Sequence, residues 1–154
     1  MTIHGVTTYL WFDNEALEAA EFYTSLFPNS KIKNISHYQE GAPKPAGSVL
    51  VVEFEIFGRE FAALNGGPQF PHSEAVSFQV ACETQEEIDR IWNALIANGG
   101  AESQCGWCKD RFGVSWQVIA TQLGEFLGSN DPAKSKKAWE AMMQMTKIVI
   151  ADLS

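Results

Sequence analysis

The chain has 154 residues, of which 45% are hydrophobic, and a formal net charge of -8 at pH 7 from 19 acidic and 11 basic side chains. This length and apolar share suit one globular domain with a core of its own. A surface this acidic repels phosphate backbones, so we expect no nucleic-acid partner.

We expect neither a membrane span nor a signal peptide. No apolar run approaches the roughly 18 residues that a membrane span needs, and the start Met1-Thr2-Ile3-His4 lacks the basic and apolar regions of a signal peptide. The chain has three cysteines, and an odd number argues against a secreted disulfide framework. We therefore expect a cytoplasmic protein that makes no contact with a membrane.

The first half of the chain predicts a strand, a helix and three more strands. Residues 5–12 are rich in strand-forming types, and alanines and aromatics at helical spacing from Ala16 to Phe27 predict a helix that Pro28 ends. The elements after it are an extended segment at 30–38, a Pro- and Gly-rich loop at 39–47, and a hairpin of strands at 48–57 and 60–65 that turns at Gly58-Arg59.

After a Gly- and Pro-rich linker the same order begins again. Residues 75–82 predict a strand, and Thr84-Gln85-Glu86-Glu87 is a capping box that opens a helix. Asn98-Gly99-Gly100 ends this helix, and strands are predicted at 101–108 and 112–120. The chain therefore reads as a structural duplication.

The C-terminal part predicts one more helix, with Asp131 as its cap and Pro132 at its first position. Its apolar stripe contains Ala138, Trp139, Met142, Met145 and Thr146. The sequence leaves open whether this helix packs on its own domain or covers a cavity or a second copy of the chain.

Residues 105–118 form two extended segments joined by an Asp-x-x-Gly turn that begins at Asp110. Beyond this turn Val114, Trp116 and Val118 alternate with Ser115 and Gln117, which is the period of a strand with one apolar face. The polar face either lies in water or lines a cavity, and the alternation alone allows both. Trp107, in the first segment, is a candidate for the wall of a pocket.

The pair Cys105 and Cys108 has the C-x-x-C spacing of a redox pair or half of a zinc site. A redox pair normally lies where a strand enters a helix, whereas here a strand and its turn follow. In an extended segment the two thiols point to opposite faces, and Cys82 alone cannot complete four zinc ligands. We expect structural thiols here.

The βαβββ order, used twice, resembles the vicinal oxygen chelate superfamily, also called the glyoxalase/bleomycin-resistance/dioxygenase fold. Its landmarks are matched by Phe22-Tyr23, Asn98-Gly99-Gly100 and Asp110-Arg111-Phe112-Gly113. Within the superfamily the chain is similar to the PhnB-like branch, many members of which are labelled 3-demethylubiquinone-9 3-methyltransferase. That similarity covers nearly the whole chain and is carried by Leu10-Trp11-Phe12-Asp13, Leu64-Asn65-Gly66-Gly67-Pro68, Cys105-Gly106-Trp107, Gly113-Val114-Ser115-Trp116-Gln117 and Ala141-Met142-Met143-Gln144-Met145.

The resemblance implies an α+β fold in which two βαβββ modules form a cup-shaped, barrel-like mixed sheet, with a C-terminal helix added. It also implies a homodimer. We predict one domain over residues 1–154, made of a first module at about 5–66, a linker at 67–74, a second module at about 75–120 and a C-terminal extension at 121–154.

Enzymes of the superfamily hold a divalent metal with His and Glu. The resemblance places Thr8 (or Thr7), Asn65 (or Ala63), Ser77 and Gln117 at those ligand positions, and neutral side chains compensate a buried divalent charge poorly. We expect no metal and no other cofactor. We also expect exposed or capped side chains for the chain's histidines, which are His4, His37 and His72.

We predict that the protein binds a small, partly apolar molecule in its cavity. The candidate lining residues are Thr8, Asn65, Ser77, Gln79, Trp107, Ser115 and Gln117. The alternative is a metal-dependent lyase, isomerase or dioxygenase of the vicinal oxygen chelate type. Methyl transfer is disfavoured because Gly66-Gly67-Pro68 precedes a linker, whereas a Gly-rich cofactor loop leads into a helix.

Overall fold

The computed structural model describes residues 1–154, and the chain divides into two compact units, Met1–Pro71 and His72–Ser154. The elements of the first unit are β1 (Thr8–Phe12), α1 (Ala16–Leu26), β2 (Lys31–His37), β3 (Val49–Ile56) and β4 (Arg59–Asn65). Those of the second unit are β5 (Ser77–Cys82), α2 (Gln85–Ile96), β6 (Ala101–Glu102), β7 (Trp107–Lys109) and β8 (Ser115–Ala120). The predicted βαβββ order therefore occurs twice.

Both sheets have the same topology. The strand order is β1-β4-β3-β2 in the first unit and β5-β8-β7-β6 in the second. In each sheet the first and last strands of the unit pair in parallel, and the other neighbours are antiparallel. The two four-stranded mixed sheets and their helices confirm the α+β class.

Each helix buries one apolar stripe against its own sheet. In α1 the ring of Tyr23 is fully buried, and its centroid lies 6.3 Å from that of Phe54 on β3. In α2 the side chains of Ile88, Trp92 and Leu95 are buried at intervals of three and four residues, the spacing of one helical face. The sequence predicted both stripes.

The predicted capping box opens α2. Thr84 accepts a hydrogen bond from the backbone N–H of Glu87 at 3.2 Å, and the Glu87 carboxylate accepts one from the backbone N–H of Thr84. These two bonds satisfy donors that the first helical turn leaves without partners. The start of the helix is thus fixed by local sequence.

The hairpin turn between β3 and β4 lies one residue earlier than predicted. Ile56 pairs with Arg59, so the two turn residues are Phe57 and Gly58, with φ of 50° and 75°. A two-residue turn with positive φ at both positions prefers glycine second, which places the turn at Phe57-Gly58. The prediction of Gly58-Arg59 was wrong by this one position.

The predicted strand at residues 101–108 is broken into β6 and β7. Cys105 and Gly106 adopt positive φ values of 58° and 83°, which turn the chain between the two strands. Their N–H groups donate to the carbonyls of Met145 and Thr146, at 2.9 and 2.8 Å. The turn is therefore held by the C-terminal segment, far away in sequence.

The C-terminal extension contains the predicted helix and two short elements that were not predicted, α3 (Leu123–Leu127) and a 3₁₀ turn at Ile150–Asp152. The predicted helix is α4 (Pro132–Met143), and Asp131 caps it by accepting from the N–H of Ala133 at 3.0 Å. Within its predicted stripe Met142 is buried, whereas Trp139 is 53% exposed. Five residues with a glycine and no side-chain cap give α3 little local signal.

The segment after α4 packs on the second unit, to which it belongs. Gln85 on α2 donates to the carbonyl of Ile148 at 3.0 Å and accepts from the N–H of Ile150 at 2.9 Å. Lys147 approaches Asp89 to 2.7 Å and holds the pKa of that carboxyl below its usual value. Ile148 is fully buried, so this segment completes the core of its own unit.

None of the helices combines the length and the apolar character that crossing a bilayer requires.

We expect Gly106→Ala to lower the free energy of unfolding by at least about 2 kcal/mol. The φ of 83° disfavours any side chain, and a Cβ there would lie 2.7 Å from the carbonyl oxygen of Val118. Urea denaturation measures the change. Gly124→Ala is the matched control, because a Cβ at that position meets no atom within 4 Å. Equal stabilities of the two variants would contradict this account.

Candidate functional site

The turn between β7 and β8 is organised by the buried carboxylate of Asp110. Its Oδ1 accepts hydrogen bonds from the N–H groups of Phe112 and Val114, at 2.9 and 3.1 Å. Its Oδ2 accepts from the indole of Trp116 at 2.9 Å. Gly113, at φ 86°, donates its N–H to the Asp110 carbonyl, which confirms the predicted Asp-x-x-Gly turn.

This turn fixes which side chains of β8 face each side of the sheet. Trp116 is 3% exposed, and its ring centroid lies 5.5 Å from that of Phe78. Val118 is fully buried, so the face that carries Trp116 and Val118 is the one packed against α2. Ser115 and Gln117 alternate with them and therefore lie on the opposite face, which we call the open face.

Parallel pairing brings polar residues of β5 beside those of β8. Ser77 is in register with Ser115, and Gln79 with Gln117. The Gln117 amide donates to the Ser77 hydroxyl at 2.9 Å, and the Gln79 amide donates to the Gln117 carbonyl oxygen at 3.4 Å. Three predicted candidates thus form one hydrogen-bonded chain, which we call the amide chain.

A cleft of about 210 Å³ lies at the β6 and β7 side of the second sheet. Trp107, Lys109 and Ser115 line it, and the register places Trp107 opposite Gln117 and Lys109 opposite Ser115. The Lys109 ammonium binds the carboxylate of Glu74, which also lines the cleft. Ser115 is 1% exposed, and its hydroxyl has no hydrogen-bond partner.

The two candidates in the first unit lie on the face of their sheet that α1 covers. Thr8 shares its parity on β1 with Leu10 and Phe12, both of which are buried. Asn65 is buried on β4, where its Oδ1 accepts from the N–H of Ala16 at 2.9 Å. Asn65 therefore supplies the hydrogen bond that a cap residue of α1 would otherwise provide.

Ser77 and Gln117, which the resemblance assigns to metal-ligand positions, do not fit a divalent cation. Gln117 directs its NH₂ group at the Ser77 hydroxyl, and neither side chain carries the charge of a carboxylate or the lone pair of an imidazole. In neither unit does a group of three or more His, Cys, Asp or Glu side chains converge. His4 and His37 are exposed and His72 is half-buried.

The cysteines are free thiols in two different environments. Burial, with the nearby carboxylates of Asp110 and Glu102, raises the pKa of the Cys108 thiol to about 12, and burial raises that of Cys82 to about 11. Cys105 is half-buried in a turn, not in an extended segment as predicted, and its sulfur lies 3.9 Å from that of Met143. A thiol near pKa 12 holds almost no thiolate at neutral pH, which argues against a redox pair.

Gly66 and Gly67 serve packing in the first unit. A Cβ on Gly66 would come within 2.3 Å of the Trp11 ring, and the Trp11 indole donates to the Gly67 carbonyl at 2.8 Å. Beyond them the chain continues without a helix until α2. These glycines therefore allow close approach of an aromatic ring and do not form a loop at a helix N-terminus.

Sequence reasoning missed the contribution of Lys109 and Glu74. Lys109 has the strand parity of Trp107, so alternation along β7 could have placed it on the open face. The ion pair with Glu74 joins residues 35 positions apart, and β5, α2 and β6 lie between them in the sequence. No local pattern indicates such a contact.

A family model described as 3-demethylubiquinone-9 3-methyltransferase matches residues 4–119 of this chain. Among solved structures, the chain is similar to a Bacillus cereus protein described as a putative 3-demethylubiquinone-9 3-methyltransferase, PhnB protein. The two are 38% identical, with a TM-score of 0.69, over 75% of this chain and 98% of that one. No curated protein matches the chain.

More distant structures share the fold. PA1353 from Pseudomonas aeruginosa is 22% identical with a TM-score of 0.60, over 75% of this chain and 96% of that one. The fosfomycin resistance protein FosX from Listeria monocytogenes is 19% identical with a TM-score of 0.55, over 83% of this chain and 99% of that one. At these identities the likeness concerns the fold alone.

We expect Cys105 to be alkylated by iodoacetamide in the native protein while Cys82 and Cys108 are protected. The latter two are 4% and 1% exposed, and their raised pKa values suppress the reactive thiolate. Mass spectrometry of protein labelled at mildly alkaline pH locates the modified residues, and labelling in denaturant shows that all three can react. Fast native labelling of Cys108 would contradict the buried-thiol assignment.

Proposed function

The chain belongs to the family described as 3-demethylubiquinone-9 3-methyltransferase, and from that premise we propose that it binds a small, partly apolar molecule at the open face of its second sheet, without a bound metal. The observation that supports this function is the amide chain of Gln79, Gln117 and Ser77. It presents neutral donors and acceptors beside the aromatic ring of Trp107. Sites for small molecules commonly combine a few placed polar groups with apolar walls.

The amide chain keeps hydrogen-bonding capacity for a ligand. The Ser77 hydroxyl accepts from Gln117, and its own proton stays available to a ligand acceptor. At the other end, the Gln79 amide donates to Gln117 through one of its two N–H bonds, and because Gln79 is exposed, its carbonyl oxygen stays accessible to a ligand donor. A ligand with both a donor and an acceptor matches these two ends.

The family description names a methyl transfer, and our proposal differs from it for a physical reason. The glycines that follow β4 are engaged with Trp11, and the amide chain contains neither a titrating acid nor a base near neutrality. The metal-dependent alternative requires charged or imidazole ligands, whereas Ser77 and Gln117 satisfy each other. Binding requires only the groups that are present.

We also propose that the protein is a cytoplasmic homodimer. The three free thiols support a reducing compartment. Trp139 and Met143, one helical turn apart on α4, are 53% and 47% exposed, and a second copy of the chain would remove this apolar surface from water.

If α4 forms the dimer contact, we expect Trp139→Glu to shift the protein from dimer to monomer in sedimentation velocity runs at micromolar concentration. A carboxylate in place of the indole opposes burial of the helix surface. Ala133→Glu on the same helix changes the net charge equally and should leave the dimer intact. A Trp139→Glu variant that stays dimeric would exclude α4 from the contact.

We expect Gln117→Ala to weaken binding of neutral aromatic amides and alcohols by about tenfold, the effect of losing one hydrogen bond with its partner left unpaired. Thermal-shift screening finds the compounds that bind, and calorimetry compares their Kd values. Gln144→Ala, at an exposed position after α4, is the matched control. Stoichiometric Fe, Mn, Ni or Zn in the purified protein that disappears in Gln117→Ala would instead favour the metal-dependent alternative.

A further inference from the structure

The hydroxyl of Ser115 lies on the open face but makes no hydrogen bond to the amide chain. Ser115 is 1% exposed, and its Oγ has no hydrogen-bond partner, although it lines the 210 Å³ cleft with Trp107 and Lys109. A buried hydroxyl without a partner costs stability, and buried polar groups in native proteins are almost always paired. An unpaired hydroxyl at the wall of a cleft indicates that a bound ligand supplies its hydrogen-bond acceptor.

The cation beside this hydroxyl already binds a carboxylate. Lys109 lies opposite Ser115 in the β7–β8 register, and its ammonium pairs with Glu74. Glu74 precedes β5, in a segment without regular structure, and its side chain is 62% exposed. An exposed ion pair of this kind is weak enough to exchange partners. The chain thus places a replaceable carboxylate of its own at the cleft.

We propose that the cleft lined by Trp107, Lys109 and Ser115 is a carboxylate site, in which the acidic group of a ligand replaces Glu74 on Lys109 and accepts a hydrogen bond from Ser115. The ring of Trp107 packs against the apolar part of the same ligand. This inference rests on the proposed function, because it names the chemical class of the ligand. The amide chain then holds neutral groups at the other end of the molecule, since Gln117 lies opposite Trp107.

The exchange would give the Ser115 hydroxyl an acceptor. While Glu74 binds Lys109, this hydroxyl has no hydrogen-bond partner. A ligand carboxylate has two oxygens, one for the ammonium and one for the hydroxyl. Because one carboxylate replaces another, the charge beside Lys109 stays the same, and Glu74 moves into water.

The test titrates the full chain with benzoate and with its neutral analogue benzamide, following the indole N–H signal of Trp107 by NMR. We expect saturable benzoate binding that is at least tenfold tighter than benzamide binding. Glu74→Gln removes the internal competitor and should tighten benzoate binding about two- to fivefold. Lys109→Met should weaken benzoate binding at least tenfold, and it should weaken benzamide binding much less, because benzamide carries no charge for the ammonium.

Ser115→Ala separates a ligand contact from a structural role. Removing an unpaired buried hydroxyl should raise the Tm of the ligand-free protein by about 2–4 °C, while benzoate affinity falls about fivefold. A stabilised variant with weaker binding supports the proposal. A Ser115→Ala variant with lower Tm and unchanged benzoate affinity overturns it.

Two further outcomes overturn the carboxylate site: equal affinities for benzoate and benzamide, and no response of benzoate binding to Glu74→Gln and Lys109→Met. If benzamide still binds and is weakened by Gln117→Ala, the proposed function stands without the carboxylate site. If neither probe binds the wild-type chain, both proposals fail together.

Discussion

The buried carboxylate of Asp110 sets the geometry on which the second unit depends. Three hydrogen bonds, from two backbone N–H groups and one indole, fix the turn and the orientation of Trp116 at once. Since side chains alternate along a strand, a turn longer by one residue would exchange the two faces of β8. The polar residues would then meet α2, and Trp116 and Val118 would lose their packing.

The face that results joins two kinds of polar group with different properties. Gln79, Gln117 and Ser77 are neutral and hydrogen-bond to one another. Lys109 lies on the same face with an exposed carboxylate partner, and the Ser115 hydroxyl has no partner. Under our proposal, the neutral groups select a ligand by shape and hydrogen bonding, and Lys109 adds a preference for charge.

Local sequence signals predicted the fold well, because they act over a few residues. The Thr84 capping box, the Asp131-Pro132 helix start and the alternation along β8 each have a cause within one turn or strand. The break at Cys105 and Gly106 was missed because its hydrogen bonds come from residues 145 and 146.

Strand parity could be read from the sequence for the second unit, whereas contacts between distant residues could not. The parallel register brings Ser77, Gln79 and Gln117 together, and their role in binding stays a prediction. Thr8 was placed by counting along the chain, although its parity with Leu10 and Phe12 assigns it to the side facing α1. Asn65 satisfies the first N–H of α1 from another strand, a long-range role that no local pattern indicates.

The shared strand order has a consequence for how the protein folds during synthesis. In the first sheet the last strand, β4, lies between β1 and β3. In the second sheet the last strand, β8, lies between β5 and β7. While the ribosome is still making the chain, β5 has no neighbour to pair with until β8 has emerged. Pairing between distant segments is slow, and an unpaired strand is exposed to wrong partners meanwhile. The polar residues of the open face are therefore assembled at the end of the folding of their unit.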